Sequence, residues 1–251
     1  MDMRSSNPTL SENTFTELRY RGDRADAMTS QGTILKTMLL LLLVMMSAGW
    51  VWVKFSQSGG NAAAVSGWMI LGAIGGLIAA LVTAFKKEWA PVTAPIYALL
   101  EGLFIGGVSA TLEASFPGIV IQAAGLTFGT LFSMLAAYQS GLIKATENFK
   151  LGVVAATGGI AIVYLVVFVL SFFGINPSFM YSSSPLSIGI SLFVVVIAAL
   201  NFIIDFDFIE QGVRQNVPKY MEWYGAFALM VTLVWLYVEF LRLLSKMRSR
   251  D

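Results

Sequence analysis

Seven apolar runs divide the chain, at 33–53, 63–85, 91–112, 117–138, 151–173, 185–208 and 223–244. Each is close to the ~20 residues that, at 1.5 Å rise, carry a helix across ~30 Å of hydrocarbon. In the first, Met38 to Met46 are apolar on every side, as in a helix facing lipid. Trp50 and Trp52 follow at its far end, where indole rings anchor at the headgroup level. Pro91, Pro117, Pro177, Pro185 and Pro218 fall at run ends or in loops. Pro95 falls in the first turns of the third run, where backbone amides lack an intrahelical acceptor. Gly59-Gly60-Asn61 supplies a turn. The ten-residue alternating strands of a membrane β-barrel are missing. The pattern predicts an all-α polytopic membrane protein, a bundle of seven transmembrane helices. A polar tail at 1–32 precedes the transmembrane domain at 33–245, and a short charged tail at 246–251 follows it.

Composition narrows the chemistry. The chain is 57% hydrophobic and 12% charged, about half the charge of a soluble domain. Net charge is +1, with no basic block for nucleic acid. Cysteine and histidine are both absent, which removes thiolate chemistry, the usual general base and the usual near-neutral proton switch. Proton sensing is left to carboxylates, and a bound metal would be a hard, oxygen-ligated ion such as Ca²⁺. No other cofactor is expected, and no enzyme activity. A serine membrane protease lacks its histidine, an aspartyl one its Gly-x-Gly-Asp run, and a retinal protein its lysine in the last helix before Lys246. Residues 1–32 mix charges without an apolar core, which reads as a cytoplasmic tail rather than a signal peptide. With that tail inside, eleven Lys and Arg from Arg4 to Lys219 fall on the cytoplasmic side, and Lys54 alone in the opposite loops. Seven crossings then place Arg242, Lys246, Arg248 and Arg250 outside, against that rule.

Small residues predict packing seams. Gly72 and Gly76, Gly102 and Gly106, and Gly125 and Gly129 (continued by Ser133, Ala137 and Gly141) recur every four residues on one helix face. Acids inside the runs are the candidate chemistry, because a carboxylate in hydrocarbon costs several kcal/mol unless paired, hydrated or neutralised. Glu101 lies about 15 Å into the third run. It reads equally as a functional acid or as one bonded to a neighbouring helix. Asp205 stacks with Asn201 one helical turn earlier. Asp207 and Glu210 read as a solvated helix end. The short connection 212–218 brings Glu222 and Tyr224 level with Asp205 and Asp207. Glu222 is then either a facing carboxylate or a dipole-favoured helix opener. Glu239 is spaced for an intrahelical pair with Arg242.

Ile204-Asp205-Phe206-Asp207-Phe208-Ile209 and Leu236-Tyr237-Val238-Glu239-Phe240-Leu241 together resemble the Bax inhibitor-1 family of seven-helix membrane proteins. The stretches Trp89 to Gly102 and Val217 to Tyr224, and the start Met3 to Pro8, resemble its longer bacterial branch. The resemblance implies a bundle wrapped around its last helix. It also implies a pH-sensitive Ca²⁺ leak gated by two acids, here Asp205, also the candidate Ca²⁺ ligand, and Glu239, where the family has aspartate. Glu101, Asp207, Glu222 and Asn201 complete the candidate gate and ion path. The implied setting is a bacterial inner membrane, with lipid, Ca²⁺ and protons as partners. Two alternatives stay open: a factor that binds other membrane proteins through its small-residue faces, in interaction or quality control, and a proton-coupled carrier.

Overall fold

A computed structural model describes residues 27–175, 177 and 182–250. Most of the polar tail, with the Met3 to Pro8 stretch, lies outside the described residues, as do 176, 178–181 and Asp251. The helices are α1 (Ser30–Gln57), α2 (Ala63–Phe85), α3 (Ala90–Ser115), α4 (Ile119–Gln139), α5 (Glu147–Phe172), α6 (Pro185–Arg214) and α7 (Met221–Arg248), with a 3₁₀ turn, Lys87–Trp89, before α3. All seven are long and apolar enough to cross a membrane. Among the described residues the only β-pairing is an isolated antiparallel bridge between Ala27 and Pro218.

Several helices run past the apolar pattern, for local reasons. Thr29 caps α1 by accepting from the Gly32 amide at 2.9 Å, so the helix starts before Thr33. Thr146 caps α5 by accepting from the Phe149 amide at 3.3 Å. Helix α6 does not stop at Phe208. Its second acid accepts from Gln211 at 2.5 Å, and Glu210 pairs with Arg214 at 2.5 Å, each one turn ahead. Asp205 and Asp207 are therefore inside the helix, while Glu210 lies in its solvated last turn. Helix α7 likewise continues through the charged residues 246–248.

The chain forms two compact units, one of residues 1–114 and 205–231, the other of 115–204 and 232–251. The first contains α1, α2, nearly all of α3, the end of α6 and the start of α7. Val51, Phe55, Val65 and Ala110 form one of its apolar clusters. The second contains α4, α5, most of α6 and the end of α7, with Ile160, Val194 and Ile197 packed together beside Tyr164 and Trp235. In their most apolar stretches α3, α6 and α7 are 50, 56 and 61% buried, against 11–22% for the other four helices. The last helix is the most enclosed of the seven.

Two of the three glycine seams join helices. A Cβ on Gly72 would sit 2.5 Å from the Leu100 carbonyl oxygen, and one on Gly76 2.9 Å from Glu101 Oε2. A Cβ on Gly102 would meet Ser47 and Val44, and one on Gly106 would sit 2.5 Å from the Ala48 carbonyl oxygen and 2.7 Å from its Cα. The third seam needs correcting. At Gly125 and Gly129 an added Cβ meets nothing within 4 Å among the described residues, and Gly141 sits beyond α4 at φ 72°. Regular spacing makes a smooth face but does not bring a partner to it. Gly106→Ala is therefore expected to cost roughly 1–3 kcal/mol, because backbone cannot yield as a side chain can. Gly129→Ala should be neutral, or gain up to ~1 kcal/mol of helix propensity. Thermal unfolding of the two variants in detergent checks the contrast.

The cations near the C-terminus have protein partners. Arg242 bonds Glu239 and Tyr164, Lys246 bonds Ser187 and Ser191, and Arg248 donates to the Pro117 carbonyl at 2.7 Å and to Gln122 at 3.0 Å.

Candidate functional site

The acids inside the apolar runs are carried by the three most enclosed helices, and Glu222 lies in the first turn of the last of them. Glu101 is on α3, Asp205 and Asp207 on α6, Glu222 and Glu239 on α7. Each must find a partner inside the protein, since lipid offers none.

In the first unit the most enclosed acid is Glu222, 1% exposed. Its Oε1 accepts from the Thr29 amide at 2.9 Å and the Thr29 hydroxyl at 2.8 Å. Its Oε2 pairs with the Lys36 ammonium. One carboxylate thus ties the first two turns of α1 to the first turn of α7. The strap before α1 reinforces the joint. The Met28 amide donates to the Val217 carbonyl at 2.8 Å, and the buried Met28 side chain lies close against Gly212 and Gly225. A shallow groove of about 430 Å³ opens beside the pair, bordered by Lys36, Lys219 and Trp223. Glu222 is thus neither a bare helix opener nor turned to a second carboxylate; a lysine and a threonine hold it.

Asp205, half-buried, acts electrostatically on Tyr224, whose ring lies 5.8 Å from that of Phe208 and under the Lys87 ammonium at 5.5 Å. Level placement of Asp205 with the start of α7 is what the short connection predicted. Glu101, also half-buried, is one turn after Tyr97, whose ring meets Phe227 edge-on at 5.1 Å. In the connection itself, burial and then the charge of Glu88 hold the Tyr220 phenol above its ordinary range, so it stays neutral.

In the second unit Glu239, 1% exposed, accepts from the Tyr164 hydroxyl at 2.9 Å. Arg242 Nη1 reaches its two oxygens at 2.9 and 3.1 Å. The same nitrogen donates to the Tyr164 hydroxyl at 2.5 Å, with the guanidinium 4.9 Å from that ring's centre. Acid, base and phenol form a closed triangle between α5 and α7. Asn201, one turn before Asp205 on α6, donates its amide to Thr157 at 2.9 Å and to the Ile197 carbonyl at 2.8 Å. Among the described residues no three acidic side chains gather as a metal cage.

A family model described as Bax inhibitor 1 like matches residues 7–249. The chain belongs to the Bax inhibitor-1-like family. Comparison with curated proteins and with solved structures gives no match. As a member of this family the chain is a multi-pass membrane protein set in a lipid bilayer. The two acids that its resemblance to the wider Bax inhibitor-1 family marks fall in different units, Asp205 in the first and Glu239 in the second. Each has its own surroundings: Tyr224 for Asp205, Arg242 and Tyr164 for Glu239.

Sequence spacing pointed to Arg242, but not to Thr29, Lys36 or Tyr164. These contacts span 193, 186 and 75 residues. Lys36 did carry a signal: it stands near the start of an apolar run, where an ammonium needs either water or an acid.

Proposed function

We propose that this member of the Bax inhibitor-1-like family is a pH-sensitive cation leak that passes Ca²⁺, with carboxylates as its gate. The observation that carries this is that the acids inside the apolar runs, Glu101, Asp205, Asp207 and Glu239, all lie on the three most enclosed helices. Ca²⁺ here is cargo, for which separate carboxylates along a path suit passage better than a closed cage. Asp205 is the principal gating acid and the first oxygen ligand for the ion. Glu239 is its counterpart in the second unit, where it holds Arg242 and Tyr164 and so ties α5 to α7. Glu101 lines the path in the first unit, with Asp207 and Glu222 supporting its walls there. The proposed setting is a bacterial inner membrane, N-terminus cytoplasmic, and the protein is not an enzyme. Ca²⁺ entry into liposomes holding the purified protein tests this reading. A leak gives downhill uptake that depends on pH. A proton-coupled carrier gives counterflow of a labelled solute instead, and no uptake above empty liposomes rules the leak out.

Orientation has a clean test because the chain has no cysteine. A maleimide that cannot cross the membrane is expected to label Ser249→Cys from outside intact cells, and Ser5→Cys only after permeabilisation. Labelling of both from the same side would contradict seven crossings.

One observation favours the second reading, a factor that binds other membrane proteins. The small-residue face of α4 at Gly125 and Gly129 meets nothing within 4 Å among the described residues and is open to another helix. On that reading Gly129→Leu abolishes partner crosslinking while Asp205→Asn leaves it intact.

A further inference from the structure

The second unit holds a buried cation that the proposed leak does not use. Lys246, 7% exposed, lies in the last turn of α7. Its ammonium donates to Ser191 Oγ at 2.8 Å and to the Ser187 carbonyl at 3.4 Å. Among the described residues it has no carboxylate within ion-pair distance, the nearby acid Glu239 being taken by Arg242. Ser187 and Ser191 are one turn apart on the same face of α6, 0 and 2% exposed. Ser187 Oγ is the one buried side-chain polar atom without any hydrogen-bond partner among the described residues.

Donors and acceptors do not balance there. An ammonium has three N–H groups and two acceptors are in place. The Ser187 hydroxyl has a partner for neither its hydrogen nor its oxygen, and Ser191 Oγ accepts from lysine with its own hydrogen still to place. Three donor hydrogens and one positive charge thus gather on the first two turns of α6, where the helix's own amides add a partial positive charge. Unmet buried donors cost about 1–3 kcal/mol each, and an unneutralised buried charge costs more. Ser191 is too enclosed to meet an acyl substrate, so the pair is not a nucleophile and its base. A neutral water could take the hydrogens but not offset the charge, whereas a small anion does both.

We infer that Lys246, Ser187 and Ser191 form a binding site for a small monovalent inorganic anion of the halide class. The anion would sit between the start of α6 and the end of α7 and hold the two together. The test uses the purified full-length chain in detergent, with thermal unfolding followed in sodium chloride and in sodium gluconate at equal ionic strength. Chloride is expected to raise the unfolding temperature saturably and gluconate is not. Ser187→Ala, which removes one donor from a site that otherwise keeps its shape, should weaken the apparent chloride affinity about tenfold, the usual effect of one charge-assisted hydrogen bond. Lys246→Met should abolish the chloride effect. Equal unfolding temperatures in the two salts would overturn the inference and leave water as the occupant. So would an unchanged chloride affinity in Ser187→Ala, a variant whose folding does not depend on replacing the lysine.

Discussion

Replacing Glu222 by alanine is expected to lower stability by about 3–5 kcal/mol, chiefly because the Thr29 amide and hydroxyl lose their acceptor, at about 1–3 kcal/mol each. Three donors converge on this carboxylate: the Thr29 amide, the Thr29 hydroxyl and the Lys36 ammonium. Its loss strands all three and frees the start of α1 from α7. The two partners are not equivalent. The Lys36 side chain is 18% exposed and that of Glu222 only 1%, so an abandoned lysine can stretch toward the headgroups while an abandoned carboxylate cannot move. Lys36→Met should therefore cost more than Glu222→Gln, which keeps an oxygen for Thr29. Thermal unfolding of the single and double variants gives the order and the coupling between the pair. Equal, small losses in both would mean that the pair is solvated and contributes little.

The second large effect belongs to the triangle in the other unit. Arg242→Ala is expected to cost about 3–5 kcal/mol, because it leaves Glu239 buried with only the Tyr164 hydroxyl. Glu239→Gln should cost less, since the 35% exposed arginine side chain keeps the phenol oxygen and the ring face. Tyr164→Phe removes two hydrogen bonds to charged groups, one donated to Glu239 and one accepted from Arg242, each worth about 1.5–3 kcal/mol before the remaining Arg242–Glu239 pair compensates. Unfolding in detergent ranks the three. An arginine variant milder than the glutamine one would mean that Glu239 is reached by water.

Much of the fold was legible in the sequence because lipid enforces it. Unsatisfied backbone cannot cross hydrocarbon, so seven apolar runs had to be seven helices. The ends were less legible, for two kinds of reason. Thr29 and Thr146 act through hydroxyls outside the apolar period, and the Asp207–Gln211 and Glu210–Arg214 links carry α6 past the residues that seemed to end it. The acids stood out because each is costly in lipid, but their partners did not, being tens to hundreds of residues away. Spacing found the Glu239–Arg242 pair, since one turn of helix fixes it. It could not find Lys36 for Glu222, nor show that Gly125 and Gly129 face open space while Gly106 meets backbone.

Asp205 bears the central claim, that protonation of an acid near the end of α6 governs passage of Ca²⁺. Ca²⁺ flux through liposomes holding wild type or Asp205→Asn, followed from acid to neutral pH, tests it most directly. Wild type should show a flux that changes with pH, and Asp205→Asn a flux that no longer does. An Asp205→Asn protein with the wild-type pH profile would contradict the account.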